Sequence, residues 1–301
     1  MSTAPQACIP CLDMGTCIIL KTILDDTILT GTMQVIGLCR FSYPAVGGYK
    51  IAHATTAEQC DFLYHPTRME MRFRHFETLC LLALVAQTDP EFLFVIVIGD
   101  SLPDRYKMRL RELTAGLPQM VIVEHPPGPH RKVMQAVLNR FQDTTRPCLQ
   151  FRHDDDDAIA VGYVQLLGET TADCTAYLTR HRRLTIDFNH GFTVQTDAKG
   201  LLASHRFSPF LGVALAMAVM PEVRHTVMNF QHDKMASFMP TVTRSDPSIF
   251  VRSYGAFNDS VMGGMPKIPD MPRLDSSGEA LFQRRFAIDC DQIRKIFSSQ
   301  P

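Results

Sequence analysis

Pro147-Cys148-Leu149-Gln150-Phe151-Arg152-His153-Asp154-Asp155-Asp156-Asp157 is the stretch on which the fold turns: an apolar run that reads as a buried strand and carries four adjacent carboxylates at its end. Carboxylates about 6 Å apart at an effective dielectric of about 20 repel by about 2–3 kcal/mol per pair, and a bound cation reverses the sign. Strand alternation predicts that Asp154 and Asp156 point one way and Asp155 and Asp157 the other. Hard oxygen donors at i and i+2 suit one Mg²⁺ or Mn²⁺. The competing reading is a solvated acidic loop, as most charge runs are. Here, however, the run caps an apolar strand instead of interrupting a polar segment.

Upstream of that strand, apolar runs and helical periods alternate. Val35–Cys39 reads as a strand, followed by a loop from Tyr43 to Tyr49 rich in Gly, Pro and Tyr. Arg74 to Gln87 has a helical period, with Phe76, Leu79, Leu82, Ala83 and Ala86 on one face and Asp89-Pro90 as its stop. Phe92–Ile98 is a buried type of strand, Asp104–Ala115 a helix closed by Gly116, Met120–Val123 a strand and His130–Phe141 a helix behind Pro129. A further helix is expected over Val161–Thr170. This order predicts an α/β fold with a mostly parallel sheet flanked by helices, in which ligands bind at the carboxyl ends of strands. The aspartate run and Arg40-Phe41-Ser42 both lie at such ends, so they are expected to face one cleft.

After Asp173 the pattern changes. Thr175–Leu178, Leu184–Phe188, Gly191–Thr196 and Leu201–Ser204 read as antiparallel strands, with a tight turn at Asp197-Ala198-Lys199-Gly200. Pro209–Met220 reads as a helix and Phe250–Gly255 as a strand. The expected organisation is an upstream extension with little structure over 1–32, an α/β nucleotide-binding half over 33–172, and a mixed α+β acceptor-side half over 173–301 in the same globule. Met33 is expected to be the natural start, because the first clean strand follows it.

Composition narrows the class. The 301 residues carry 30 basic and 31 acidic side chains, a net charge of −1, which lacks the basic footprint of a nucleic-acid binder. Nine cysteines are scattered; Cys8 and Cys11 have no matching second pair, so zinc spacing is absent and a reduced, cytoplasmic protein is expected. The longest apolar stretch, Phe210–Met220, is far short of the roughly 20 residues that span a bilayer, leaving only peripheral association with a membrane. No signal-peptide pattern opens the chain.

Gly37-Leu38-Cys39-Arg40-Phe41-Ser42-Tyr43, Arg72-Phe73-Arg74-His75-Phe76-Glu77, Gln87-Thr88-Asp89, Ile98-Gly99-Asp100, Phe151-Arg152-His153-Asp154-Asp155-Asp156-Asp157-Ala158 and Phe257-Asn258-Asp259-Ser260, in this order and spacing, resemble the rhamnosyltransferase family of bacterial glycosyltransferases. The resemblance runs from about Met33 to Ser260. It implies a GT-A-type fold, a nucleoside-diphosphate-sugar donor, a D-x-D metal motif for Mn²⁺ or Mg²⁺, and a glycan or lipid-linked acceptor in surface polysaccharide synthesis. His153 stands where the family pattern leads us to expect an apolar residue, and residues 1–32 lie outside the pattern.

Such chemistry needs the leaving diphosphate neutralised as the glycosidic bond breaks, which a divalent cation does as a Lewis acid. Asp154 and Asp156 are the expected metal ligands, and Asp155 and Asp157 candidates for the ribose or sugar. Arg40, Arg68, Arg72 and Arg74 are candidates for the nucleotide phosphates, since guanidinium binds phosphate bidentately. A third metal contact from the C-terminal half is common in GT-A enzymes; His225 and His232 are the candidates, with His232, beside Asp233, preferred. Asp259 is the candidate base or acceptor contact, against the reading of Asn258-Asp259 as an ordinary turn. Two other classes compete. A metal-dependent phosphoesterase would want histidines at several strand ends, and His53, His65, His75, His125 and His130 show no pattern. A non-catalytic carbohydrate- or calcium-binding module would not need the long βαβ half.

Overall fold

The computed structural model describes residues 33–49, 53–255 and 271–299. The expected extension over 1–32 and the Asn258-Asp259-Ser260 segment lie outside these residues. In chain order the strands are β1 (Gln34–Arg40), β2 (Leu93–Gly99), β3 (Met120–His125), β4 (Cys148–His153), β5 (Ala158–Ile159), β6 (Arg183–Phe188), β7 (His190–Asp197), β8 (Gly200–Phe207), β9 (Ala216–Val219), β10 (Thr241–Arg244) and β11 (Phe250–Ser253). The helices are α1 (Thr56–Leu63), α2 (Pro66–His75), α3 (Leu81–Val85), α4 (Asp104–Thr114), α5 (His130–Phe141), α6 (Tyr163–Asp173), α7 (Thr175–His181), α8 (Ser276–Phe286) and α9 (Cys290–Ser298).

Seven strands form the main sheet in the order β10-β6-β9-β4-β1-β2-β3, all parallel to their neighbours except β9, which runs antiparallel to both β4 and β6. The expected α/β architecture, a mostly parallel sheet with helices on its faces, is therefore present. Alternation along the buried strands sorts the core. Ile36, Leu38, Val95 and Val97 face α5 with Val133, Met134, Val137 and Leu138. Val35, Cys39, Phe94, Ile96 and Ile98 face the other way, onto Phe73, Phe76, Leu79 and Tyr163. Both faces being covered explains why these strands read as continuous apolar runs.

A second sheet, β5-β11-β7-β8, leans on the aspartate run itself. Asp157 is followed at once by β5, whose two residues pair antiparallel with β11 (Ala158 with Val251, Ile159 with Phe250). β11 in turn runs parallel to β7, and β7 and β8 form a hairpin through the turn at Asp197–Gly200.

Three elements differ from the sequence reading. The helix placed at Arg74–Gln87 starts eight residues earlier, at Pro66, and passes through a π turn at Phe76–Cys80. The wide turn shifts the helical phase, so Ala83 and Leu84 are buried beyond it, while Ala86 is exposed. Thr175–Leu178 is not a strand but the first turn of α7, which continues from α6 after a break at Cys174 and ends at Arg182 with φ 63°. Its β-like composition is outweighed by Leu178, which packs fully buried on β6 and the core.

Pro209–Met220 is not a helix. Phe210 and Ala214 have φ of 54° and 59°, and the run then enters the sheet as β9 between β4 and β6. Asp187 Oδ1 accepts the Phe210 amide at 3.0 Å and pins the first of these turns. A continuous apolar run suits a strand buried on both faces as well as a helix, and the gap between β4 and β6 decided it.

Candidate active site

The carboxyl ends of β1 and β4 deliver Arg40 and the aspartates to one end of the sheet. Because β9 runs antiparallel, the segment leading into it, Leu211-Gly212, arrives at the same end. Between them lies a cavity of about 490 Å³ lined by Arg40, Tyr49, Arg72, His130, Arg152, His153, Asp154, Asp156, His232 and Arg252, with Leu38, Met134, Leu211 and Met228 as its apolar wall. The predicted meeting of the aspartate run and the β1 exit in one cleft is what the fold builds.

β4 ends at His153, and Asp154–Asp157 form a turn, with the Asp157 amide 3.3 Å from Asp154 O. The carboxylates are sorted as the alternation argument expected, although a turn and not a strand does the sorting. Asp154 and Asp156 line the cavity; Asp155 and Asp157 have no exposed surface and sit behind its wall. Two arginines hold the four in place. From α2, Arg72 Nε donates to Asp155 Oδ2 at 2.9 Å and Arg72 Nη1 to Asp156 Oδ2 at 3.0 Å. From β11, a single nitrogen of Arg252, Nη1, lies 3.0 Å from Asp154 Oδ2 and 2.7 Å from Asp157 Oδ2, while the Ser253 amide donates to Asp157 Oδ1 at 2.9 Å.

These neighbours set the charges. Enclosure pushes the Asp154 carboxyl up, but Arg252, Arg40 and Arg152 outweigh it and hold it well below the usual range. Burial likewise raises Asp156, and Arg72 with Arg252 reverses the shift. Asp157 ends above its usual value, because complete burial and repulsion from Asp156 and Asp154 exceed what Arg252 returns. Burial lowers His130 to about 3, helped by Arg40, Arg152 and Arg131, and lowers His153 to about 4. His153, buried and neutral with its ring edge-on to Phe94 at 5.8 Å, thus fills a site where an apolar residue was expected.

The other candidates divide. Arg40 lines the cavity, with Nη1 donating to Gly48 O at 2.9 Å and its guanidinium 4.1 Å above the Tyr49 ring. Arg68 does not line it: it is buried and donates to Ser42 Oγ and Leu63 O, both at 3.0 Å, holding the left-handed Ser42 (φ 47°) at the β1 exit. Arg74 turns away to Glu70 and Ser299. His232 lines the cavity and donates from Nδ1 to Phe210 O at 2.6 Å. His225 instead lies 3.3 Å from Arg183. Of His53, His65, His75, His125 and His130, only His130 lines the cavity.

Among the described residues, Asp154, Asp156 and Asp157 offer three oxygens within 4.8 Å of one another, a donor set that fits a hard divalent cation; His232 is not in that group. Two cavity arginines escaped the sequence reading. Arg252 had no signal, being one arginine in a short strand 98 positions from Asp154. Arg152 had one: it is a charged side chain at the end of an apolar strand, two positions before Asp154.

Comparison with solved structures finds S. aureus TarS 1–349 at 12% identity and TM-score 0.39, covering 73% of this chain and 60% of that one. The same protein in complex with UDP-GlcNAc matches at 12% identity and TM-score 0.38, covering 74% and 59%. The chain thus spans about 60% of the length of these structures. No match to a curated protein was found. No described helix is long and apolar enough to cross a membrane. Over residues 34–266, a span that takes in β1, the aspartate run and β11, the sequence matches the family described as "Putative rhamnosyl transferase", and the chain belongs to that family.

Proposed function

We propose that this chain is a metal-dependent glycosyltransferase that moves a sugar from a nucleoside-diphosphate donor to a hydroxyl of a glycan or lipid-linked acceptor. The observation that carries the reading is the pairing of opposite charges in one cleft. Carboxylates fit to hold a divalent cation line the cavity that Arg40 and Arg152 also line. A cation and a diphosphate together match that pattern; a neutral sugar alone would not need it.

In this reading Asp154 and Asp156, with Asp157 behind them, hold Mn²⁺ or Mg²⁺, whose role when bound is Lewis-acid stabilisation of the departing diphosphate. Arg40 and Arg152 contribute fixed positive charge to the same oxygens. Arg72 keeps Asp156 ionised and aimed, and His130, held neutral, is available as a hydrogen-bond partner without adding charge. Tyr49 and the apolar wall of Met134, Leu211 and Met228 enclose the donor and exclude water. Asp259 is proposed as the base that takes the acceptor proton.

A thermal-shift panel of nucleoside diphosphates with and without Mn²⁺ tests the reading. A ligand at 100 times its Kd adds about 2.7 kcal/mol of stability. The expected result is stabilisation by at least one nucleotide that depends on the cation. Stabilisation by none, at millimolar ligand, removes the donor assignment.

A further inference from the structure

We infer that Arg252 is a built-in counter-cation of the aspartate run, which leaves its place when a divalent cation enters and turns to the anionic donor. The inference rests on the metal reading above and adds a rule for when the metal binds tightly. One nitrogen of Arg252 bridges Asp154 Oδ2 and Asp157 Oδ2 at 3.0 and 2.7 Å, and these two residues belong to the trio that could hold the ion. The second oxygen of Asp157 already accepts the Ser253 amide, so both Asp157 oxygens are engaged while Arg252 stays. Asp156 Oδ2 is likewise held by Arg72. The guanidinium therefore stands in for the cation, and two positive groups on the same oxygens would repel.

The exchange needs only a side chain to move. Arg252 is fixed at its backbone, in register with Thr193 of β7, while its long side chain reaches the cavity and is 17% exposed. Displaced from there it would leave two carboxylate partners behind in a partly desolvated cleft, and a new anionic partner would offset that loss. A diphosphate in the cavity supplies that partner. Metal and donor are thus bound together, each relieving a cost the other alone would incur.

The test measures Mn²⁺ directly, by loss of the free-ion electron paramagnetic resonance signal, in full-length protein with and without uridine diphosphate. Wild type should bind Mn²⁺ weakly alone and at least ten-fold more tightly with the nucleotide. Arg252→Gln should bind Mn²⁺ alone at least ten-fold more tightly than wild type, with the effect of the nucleotide reduced. In thermal melts the variant should lose stability in chelator and recover it in Mn²⁺, whereas wild type barely responds to the metal alone. Arg252→Lys, which keeps the charge and is the safer variant to fold, should retain the wild-type weakness toward Mn²⁺. Equal or weaker Mn²⁺ binding by Arg252→Gln, with normal nucleotide-assisted binding in wild type, overturns this inference alone. No Mn²⁺ binding by either protein under any condition overturns the metal reading together with it.

Discussion

Arg72 and Asp155, 83 positions apart, meet in a two-point ion pair whose carboxylate has no exposed surface. Arg72 also holds Asp156, so one side chain from α2 fixes two members of the aspartate run. Removing it would strand buried charge, which typically costs about 3–5 kcal/mol. Arg72→Leu is expected to lower unfolding free energy by that order in urea titration, and the Arg72→Leu/Asp155→Leu double variant to recover part of the loss. Additive losses in the double variant would show that the pair is not coupled.

Asp154 differs from its neighbours in being 47% exposed, and like Asp156 it faces the cavity. Asp154→Asn is therefore expected to leave the melting temperature within a few degrees of wild type while abolishing Mn²⁺-dependent nucleotide stabilisation and cutting transfer at least 100-fold. An unchanged Mn²⁺-dependent shift would remove Asp154 from the metal site.

Asp259 lies outside the described residues, so its role is tested by kinetics alone. A base acts mainly in the transition state, so Asp259→Asn is expected to lower kcat by about 10²–10⁴-fold with donor affinity unchanged. A turn aspartate predicts full turnover and at most a small stability loss.

His75 gives a pH dependence of stability. Burial holds it at about 4, with Asp156 pulling up and Arg72 pulling down, against an ordinary value of 6.5. As pH falls below 6.5 the unfolded chain takes up the proton first, so the stability present at neutral pH is lost progressively down to about pH 4. The slope from this group reaches about 1.4 kcal/mol per pH unit. His75→Gln, able to keep a hydrogen bond to Thr196, is expected to flatten the curve by that amount between pH 6.5 and 4.

The parallel half of the fold was legible because its strands are buried on both faces and its helices are amphipathic, two patterns a linear sequence records. His130–Phe141 was placed to the residue, since Pro129 marks its start and one face packs on the sheet. β9 was misread because an apolar run between turns carries no sign of which element will surround it. The aspartates and Arg40 were legible as strand-end residues. Arg252 was not, because its role depends on β11 pairing with β5, a long-range contact without local signature. Arg68 and Arg72 looked alike in sequence, four positions apart on one helix, yet one reaches Ser42 and the other the aspartates.

The late strands have a consequence for how the chain must fold. β4 has β1 on one side and β9 on the other, and β9, β6 and β10 come from residues 183–244. A nascent chain that has emerged only through the aspartate run therefore presents a bare, apolar strand edge, a template for mispairing with another chain. Asp154 and Asp157 also wait for Arg252, which emerges about 100 residues after them. Completion of the sheet and pairing of Asp154 and Asp157 are thus nearly simultaneous events, well after the aspartates emerge. Truncations that stop after α6 should be aggregation-prone fragments, not free-standing nucleotide-binding units.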